Sequence, residues 1–381
     1  MQYRTLGRTG LKVSEIGFGG EWLERHEKEE SVELMRYAAG KGINIIDCWM
    51  PDPKSRDIIG EAMEGNREHW LVQGHIGSTW QNGQYVRTRD LDQVVPAFED
   101  LLRRLRTDYI DLGMIHYVDS EEDWEKAMNS PYIEYVKELH AKGIIRHIGM
   151  STHNPVMGKR AVETGLVEMI LFSINPAFDM RPATDDLDSM FTGYEDTSYA
   201  GIDEERASFY RLCEEKNVGL TVMKGFFGGR LFDKERSPFG VAFTAPQLIH
   251  YALTRPAVCS ILCGYDTKEQ VDAAVAYETA TDDEKDYASV IANAPLHSYA
   301  GQCTYCGHCK PCPMDIDIAM VNKFYDLAKA QPEVPQSVKE HYRDLSVHAS
   351  DCIGCESCES RCPFGVKVAE RMTRTAELFG F

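Results

Sequence analysis

Short apolar runs alternate with stretches of helical periodicity from Val13 to about Tyr277. The runs are VSEIGFGG (13–20), INIIDC (43–48), WLVQGHIG (70–77), YIDLGMIHY (109–117), IRHIGMSTH (145–153), EMILFSINP (168–176), GLTVMKGF (219–226) and SILCGY (260–265). Between them lie SVELMRYAAGKG, LDQVVPAFEDLLRRL, SPYIEYVKELHAKG and ERASFYRLCEEKNVG, stretches of helical spacing that often end in a glycine able to cap the last turn. This alternation demands a parallel sheet covered by helices. Eight such units predict an α/β chain closed into a (β/α)8 TIM barrel rather than an open sheet.

Active sites of such barrels lie at the C-terminal ends of the strands. There this chain offers Asp47, His75, His116, Ser151, Thr152, His153, Asn175 and Lys224. Two connections are longer than the usual loop, residues 78–90 after the third run and roughly Ala177 to Asp203 after the sixth, and long rim loops shape substrate pockets. After Tyr277 the alternation stops, and near Gly301 a cysteine-rich composition begins. A chain of 381 residues exceeds one compact domain, so it divides into a barrel over 1–295 and a smaller domain over 296–381.

The composition, 43% hydrophobic and 27% charged, is that of a globular protein, and no apolar run approaches the roughly eighteen residues a membrane helix needs. MQYRTLGRTG lacks an apolar segment with a cleavage site, so the expected location is the cytoplasm, away from membranes. A formal net charge of −19 argues against nucleic acid and anionic lipid, which bind basic patches; small-molecule substrates and a redox protein partner stay open.

The 12 cysteines change the picture, because a long cytoplasmic chain keeps thiols reduced and uses them for metal. Cys48, Cys213, Cys259 and Cys263 are scattered singly and read as buried small apolar residues. The other eight form two motifs, Cys303-x-x-Cys306-x-x-Cys309-x-x-Cys312-Pro and Cys352-x-x-Cys355-x-x-Cys358-x-x-x-Cys362-Pro. Three cysteines at this spacing wrap one [4Fe–4S] cube, and the trailing Cys-Pro reaches the other cluster. Cys303, Cys306 and Cys309 would then share a cluster with Cys362, and Cys352, Cys355 and Cys358 one with Cys312. Zinc needs only four ligands and does not favour this pattern. Eight thiolates satisfy both clusters, so His308 and His348 read as packing or surface residues. DIDIAMVNKFYDLAKA (315–330) has helical periodicity, which makes this ferredoxin-like domain mainly α-helical.

Together these segments resemble the aldo-keto reductases, specifically their branch with a C-terminal dicluster [4Fe–4S] ferredoxin-type domain, over essentially the whole chain. YRTLGRTGLKVSEIGFGG is similar to the family's N-terminal hairpin and first strand. INIIDC resembles the second strand, ending in the active-site aspartate, here Asp47, and YIDLGMIH the fourth, ending in the active-site histidine, here His116. IGMSTHN and FSINP resemble the segments that hold the nicotinamide carboxamide, which implies Ser151, Thr152 and Asn175. VMKGFFGGRL and CGYDTKEQV resemble those embracing the phosphates of NADP(H) or NAD(H), which implies Lys224, Gly225, Gly264, Thr267 and Gln270.

Family chemistry uses a tyrosine to protonate the carbonyl oxygen and a lysine paired with the aspartate. Where the resemblance places these, the chain has Asp52 and His75. The resemblance therefore implies a non-standard acid–base set of Asp47, Asp52, His75 and His116, with Tyr85 and Arg87 of the third loop as candidates for a replacement phenol and an anion clamp. The leading expectation is an oxidoreductase whose barrel binds substrate and NAD(P)H while two [4Fe–4S] clusters relay electrons, as suits anaerobic metabolism. The alternatives are a redox-neutral lyase or isomerase braced by structural clusters, and an electron-transfer protein.

Overall fold

The structure is a computed structural model that describes residues 1–195, 199, 201–297, 299–329 and 333–381. Eight parallel strands close into a barrel: β1 (Ile16–Gly19), β2 (Ile45–Cys48), β3 (Leu71–Ile76), β4 (Ile110–Ile115), β5 (Ile145–Thr152), β6 (Met169–Ser173), β7 (Gly219–Met223) and β8 (Val258–Gly264). Each expected apolar run supplies one strand. Their residues are almost all buried because helices cover the outside and side chains fill the inside.

The interior is layered. At the base, Leu6 and Val13, carried by the hairpin of Tyr3–Thr5 and Lys12–Ser14, pack with Ile45, Leu112, Met114, Met169 and Leu171 in a cluster separate from the outer core. Above this plug the lumen turns polar, with Gln73 of β3 and Thr221 of β7 both fully buried. The helices follow from capping and periodicity. The helix Leu91–Leu105 buries Val94, Phe98, Leu101 and Leu105, spaced for one face. The helix Ala245–Leu253 starts at a Thr244/Gln247 capping box with proline in its first turn.

The two long rim connections differ. Residues 78–90 fold into a hairpin, Ser78–Gln81 with Gln84–Arg87. The connection from Ala177 to Asp203 holds a short helical turn at Asp188–Phe191, and part of it lies outside the described residues. Residues after 293 stay on the barrel before entering the second module: His297 bonds the carbonyls of Tyr194 and Tyr199, and Tyr299 donates to the Pro176 carbonyl.

The cysteine-rich module is helical, as expected, with helices Ile318–Lys329, Gln336–Arg343 and Val368–Phe379. The first falls within the expected 315–330, whose last residue lies outside the described set. Arg371 ties that helix to the last one through Asn322 and Asp326. The module docks on the barrel through Lys323 and Glu214 at 2.7 Å, through Tyr287, which donates to the Thr304 carbonyl at 2.7 Å, and through the buried guanidinium of Arg255, which donates to the same carbonyl. Between module and barrel base runs a cleft of about 1400 Å³, lined by Arg4, Gly219, Val258, Cys306 and His308 among others.

Candidate active site

Neighbouring parallel strands place Asp47, His75 and His116 side by side, because β2, β3 and β4 end together at the rim. Asp47 Oδ1 accepts from His75 Nε2 at 2.8 Å. The other nitrogen of that ring, Nδ1, lies 2.7 Å from His116 Nδ1, and His116 Nε2 lies 2.7 Å from the Tyr85 hydroxyl. All three strand-end groups are buried. Gln73 Nε2 donates to the same Asp47 oxygen at 3.0 Å, and Thr221 donates to Gln73 Oε1 at 2.8 Å, so the line is anchored deep in the lumen.

The rim hairpin brings in Tyr85. Its turn residues Asn82 and Gly83 have φ of 51° and 78°, the conformation of a two-residue Asn-Gly hairpin loop, and Tyr85 faces Trp80 in register. Arg87 fastens the hairpin to the Tyr117 carbonyl and to Asp123, each at 2.9 Å. Arg89 donates to the carbonyls of His116 and Tyr117. Trp49 meets Tyr85 edge-on at 5.3 Å and stacks parallel to the His116 ring.

Hydrogen-bond bookkeeping fixes how the line can be protonated. A carboxylate only accepts, so His75 Nε2 carries a proton. With both rings neutral, His116 Nδ1–H donates to His75 Nδ1, and Tyr85 donates to His116 Nε2. One added proton on His75 reverses both bonds: His75 Nδ1–H donates to His116, and His116 Nε2–H donates to the Tyr85 oxygen, which frees the phenol proton. Burial, with His75, Arg89 and Arg87 adding like charge, holds the His116 pKa well below its usual 6.5. Burial also pushes the Tyr85 phenol up to about 12, against the pull of Arg87 and Arg89.

Asp52 stands apart from this line. It is the N-cap of the helix Pro53–Ala62, where its carboxylate accepts from Ser55 N at 3.0 Å. The residues expected to hold a carboxamide are engaged internally: Tyr117 N donates to Ser151 Oγ, Thr152 donates to Asp119, and Asn175 donates to the Lys224 carbonyl while accepting from Phe178 N. Lys224 follows β7 and feels Glu21, Asp119 and Asp47; burial lowers its pKa from 10.5. Gly225 packs on Ile261, while beyond it Gly228 and Gly229, at φ of 62° and 78°, face open space. Gly264 is exposed, Thr267 caps the helix Lys268–Val275, and Gln270 accepts from Asp266 N. A charged lysine and an open glycine pair suit a dinucleotide phosphate.

One of the two expected cysteine groupings shares a cavity. Cys312 shares one apolar cavity with Cys352, Cys355 and Cys358, beside Ile316, Ile318 and Met372. The opposite motif meets the Cys362 segment where Gly301 N donates to the Phe364 carbonyl at 2.6 Å and Arg361 donates to the carbonyls of Cys309 and Pro311. Four thiols around one void fit a four-iron cube. His308 is paired with Asp286 at 3.0 Å, and His348 packs against Tyr342 and Phe381. The cleft at the barrel base is lined by charges of both signs, several of them already paired, and it lies at the N-terminal strand ends, away from the Asp47 line.

Asp119 and Gln73 carry no motif that would have singled them out. The hairpin did have a signal, the Asn82-Gly83 pair between two apolar-polar stretches.

Comparison with known proteins matches the Aldo/keto reductase family over residues 15–247 and a 4Fe-4S dicluster domain over residues 266–366. Aldo-keto reductase YhdN of Bacillus subtilis is 32% identical over 160 residues, covering 40% of this chain and 47% of that protein. The uncharacterized oxidoreductase YqkF of the same organism is 29% identical over 186 residues, covering 48% and 58%. The chain thus spans about half the length of these curated relatives. Among solved structures, the aldo-keto reductase AKR11C1 of Bacillus halodurans superposes with a TM-score of 0.60 at 23% identity, over 75% of this chain and 94% of that one, a likeness of fold. No helix among the described residues is long and apolar enough to cross a membrane.

Proposed function

The chain belongs to the aldo/keto reductase family and carries a 4Fe-4S dicluster domain, and from that premise we propose that it interconverts a small-molecule carbonyl and its alcohol at the β2–β4 rim, with Tyr85 as proton donor. The observation that carries this reading is the unbroken line from Tyr85 through His116 and His75 to Asp47. Bound NAD(P)H supplies hydride to the carbonyl carbon. The residues supply the proton. Asp47 stabilises a doubly protonated His75, which turns the two downstream bonds outward and leaves the Tyr85 proton pointing at substrate oxygen. As that proton leaves, His116 Nε2–H passes to the phenol oxygen and His75 Nδ1–H to His116. One proton has then moved from His75 to substrate, and the line is back in its neutral order. The His75–Asp47 pair thereby takes over the work of the family's lysine, and the hairpin phenol that of its tyrosine.

Lys224, Gly228 and Gly229 would hold the dinucleotide phosphates. The eight motif cysteines would hold two [4Fe–4S] clusters; with no carbonyl in place, the pair would together take the two electrons of one NAD(P)H, leaving NAD(P)+ and a proton, and would pass them singly to an outside redox partner. Cys306 lines the cleft at the barrel base, and Cys303 lines a cavity with Ile202 and Glu204 at the end of the long rim connection, so the module lies along the barrel's flank. That none of these cysteines belongs to the Asp47 line is the observation in favour of a second reading, in which the clusters brace the module and the rim chemistry runs without them. Anaerobic titration of the purified chain with NADPH decides between them. Bleaching of the cluster absorbance in step with NADPH oxidation is expected from the relay. Carbonyl turnover with unchanged cluster absorbance would leave only the brace, and absence of NADPH oxidation with any carbonyl would reject the rim chemistry.

A further inference from the structure

The two cysteine motifs face different surroundings. Cys303 and Cys306 look toward the barrel: Cys303 shares a cavity with Ile202 and Tyr210, and Cys306 shares the basal cleft with Gly219 and Val258. The cavity that holds Cys312, Cys352, Cys355 and Cys358 has instead one wall inside the module and one in solvent. Ile316, Ile318 and Met372 form the buried wall, and Met314, Ile353 and Glu356 the outer one. Cys355 itself is exposed. At 64% exposure, Ile353 shows more of its surface than any other large apolar side chain among the described residues, and Met314 on the same wall shows 38%.

This apolar centre has an acidic rim. Residues 351–360 carry three acids and no base, and Asp315 directly follows Met314. Asp315, Asp351 and Glu356 are exposed, and among the described residues none of the three pairs with a cation. The bases nearby in the chain are engaged elsewhere: Arg361 with the carbonyls of Cys309 and Pro311, Lys367 with Glu359, and Lys310 with Asp317. Four thiolates outweigh the positive core of a [4Fe–4S] cube, so a loaded site adds negative charge to this face. The chain's net charge of −19 extends the same field outward. A single exposed apolar residue is ordinary, whereas an exposed pair over a group of cluster-type cysteines, framed by unpaired charge of one sign, marks a contact surface.

We infer that this face, centred on Ile353 and Met314, is where electrons leave the protein, and that its occupant is a one-electron redox protein with an apolar contact ringed by lysine or arginine. The inference rests on the relay reading above and adds the exit and the chemistry of the partner. The acidic rim steers a basic partner, and the small apolar centre seats that partner's cofactor where Cys355 is itself exposed. A patch of this size suits the small, short-lived contacts of redox encounters. In each transfer a reduced cluster gives up one electron and the partner's cofactor gains it; no bond and no proton moves. The cysteine group against the barrel is then the entrance and the outer group the exit.

The whole chain, purified anaerobically with its clusters, is reduced with dithionite, desalted and mixed in a stopped-flow instrument with a basic c-type cytochrome or with an acidic flavodoxin. Dithionite supplies the electrons, so the outcome does not depend on NAD(P)H. The rate constant for the cytochrome should fall as salt rises toward about 1 M, and that for the flavodoxin should rise. Variants locate the contact. Glu356→Lys with Asp315→Asn should slow cytochrome reduction about tenfold at low salt, at unchanged iron content. Glu134→Lys with Glu138→Gln makes the same change of net charge at exposed positions of the barrel helix Pro131–Ala141 and should leave the rate within about twofold. Carbodiimide, which joins carboxylates to lysines, should link the unmodified oxidised protein to the cytochrome through Asp315, Asp351 or Glu356, a readout that needs neither a variant nor electron flow. Equal slowing by both pairs of variants, or cross-links mainly on the barrel, overturns the exit. A parent dimer that Glu356→Lys with Asp315→Asn splits into monomers in sedimentation makes the face an interface between copies and overturns it too. If the patch results hold while NADPH fails to bleach the clusters, the exit stands and the relay from the rim falls. Bleaching by NADPH with no effect of the patch variants keeps the relay and removes this exit.

Discussion

Two imidazoles joined Nδ1 to Nδ1 can donate in only one direction at a time, so in the proposed mechanism the His75–His116 contact works as a one-proton switch for Tyr85. Removing the phenol should remove the proton without removing the scaffold. Tyr85→Phe is expected to lower kcat by roughly 10²- to 10⁴-fold, the usual worth of a positioned general acid, with iron content and NADPH affinity unchanged in steady-state and calorimetric assays. A kcat within a factor of a few of the parent would remove Tyr85 from the chemistry. Asp52 should behave in the opposite way. Asparagine caps a helix as well as aspartate does, so Asp52→Asn should leave both turnover and unfolding midpoint near the parent, whereas Asp52→Ala should cost about 1 kcal/mol in urea unfolding. A large loss of kcat in Asp52→Asn alone would instead return the carboxylate to the acid–base set. Asp47, His75 and His116 were legible in the sequence because each closes an apolar run at a barrel's working end. The engagement of Asp52 was not, since an aspartate in the turn-like stretch MPDPK reads equally as a helix cap or as an acid.

The element that completes the site is the hairpin Ser78–Gln81/Gln84–Arg87, which leaves β3 through Gly77. Gly77 has φ of 96°, and a Cβ there would stand 2.5 Å from Arg89 Nη1 and 2.7 Å from the Thr88 carbonyl. Gly77→Ala therefore meets a conformational penalty and a collision with the arginine that ties the hairpin to His116. The hairpin should shift, and Tyr85 with it. The expected outcome is a fall in kcat approaching that of Tyr85→Phe while the circular dichroism of the barrel persists. Retained kcat would show that the hairpin's position is not demanding. Eight strands were readable because β-α alternation repeats from Val13 to about Tyr277. A single rim hairpin gave only its Asn-Gly turn as a cue, and its fastening depends on Arg87 and Arg89 finding carbonyls and a carboxylate far along the chain, which no local pattern records.

At the scale of the whole molecule, the seam between barrel and cysteine-rich module contains His250, whose ring meets Tyr277 and Tyr287. Burial, aided by Lys285 and Arg255, lowers its pKa from 6.5 to about 4. The unfolded chain therefore takes up a proton below pH 6.5 that the folded chain refuses. Stability from this neutral ring is intact above that pH and is lost as pH falls toward 4, by roughly 3 kcal/mol at most. Urea unfolding of parent and His250→Phe at pH 7 and at pH 5 should show a smaller acid-induced loss in the variant; equal losses would place the titration elsewhere.

The crossing of the cysteine motifs has a consequence for how the module fills. Cys312 stands in the cavity of Cys352, Cys355 and Cys358, and the segment around Cys362 lies against the other motif. On the proposed crossed ligation neither compartment would be complete until both stretches of chain are folded, so each cube would wait on the other's scaffold. Filling then resembles a latch with two keys, and partly filled molecules are the least stable members of the population. Native mass spectrometry of chain taken from iron-starved cells should show empty molecules and molecules with eight irons, with few between; a dominant four-iron peak would mean that the two motifs load independently. Under scarcity, such a protein divides its iron among fewer complete molecules.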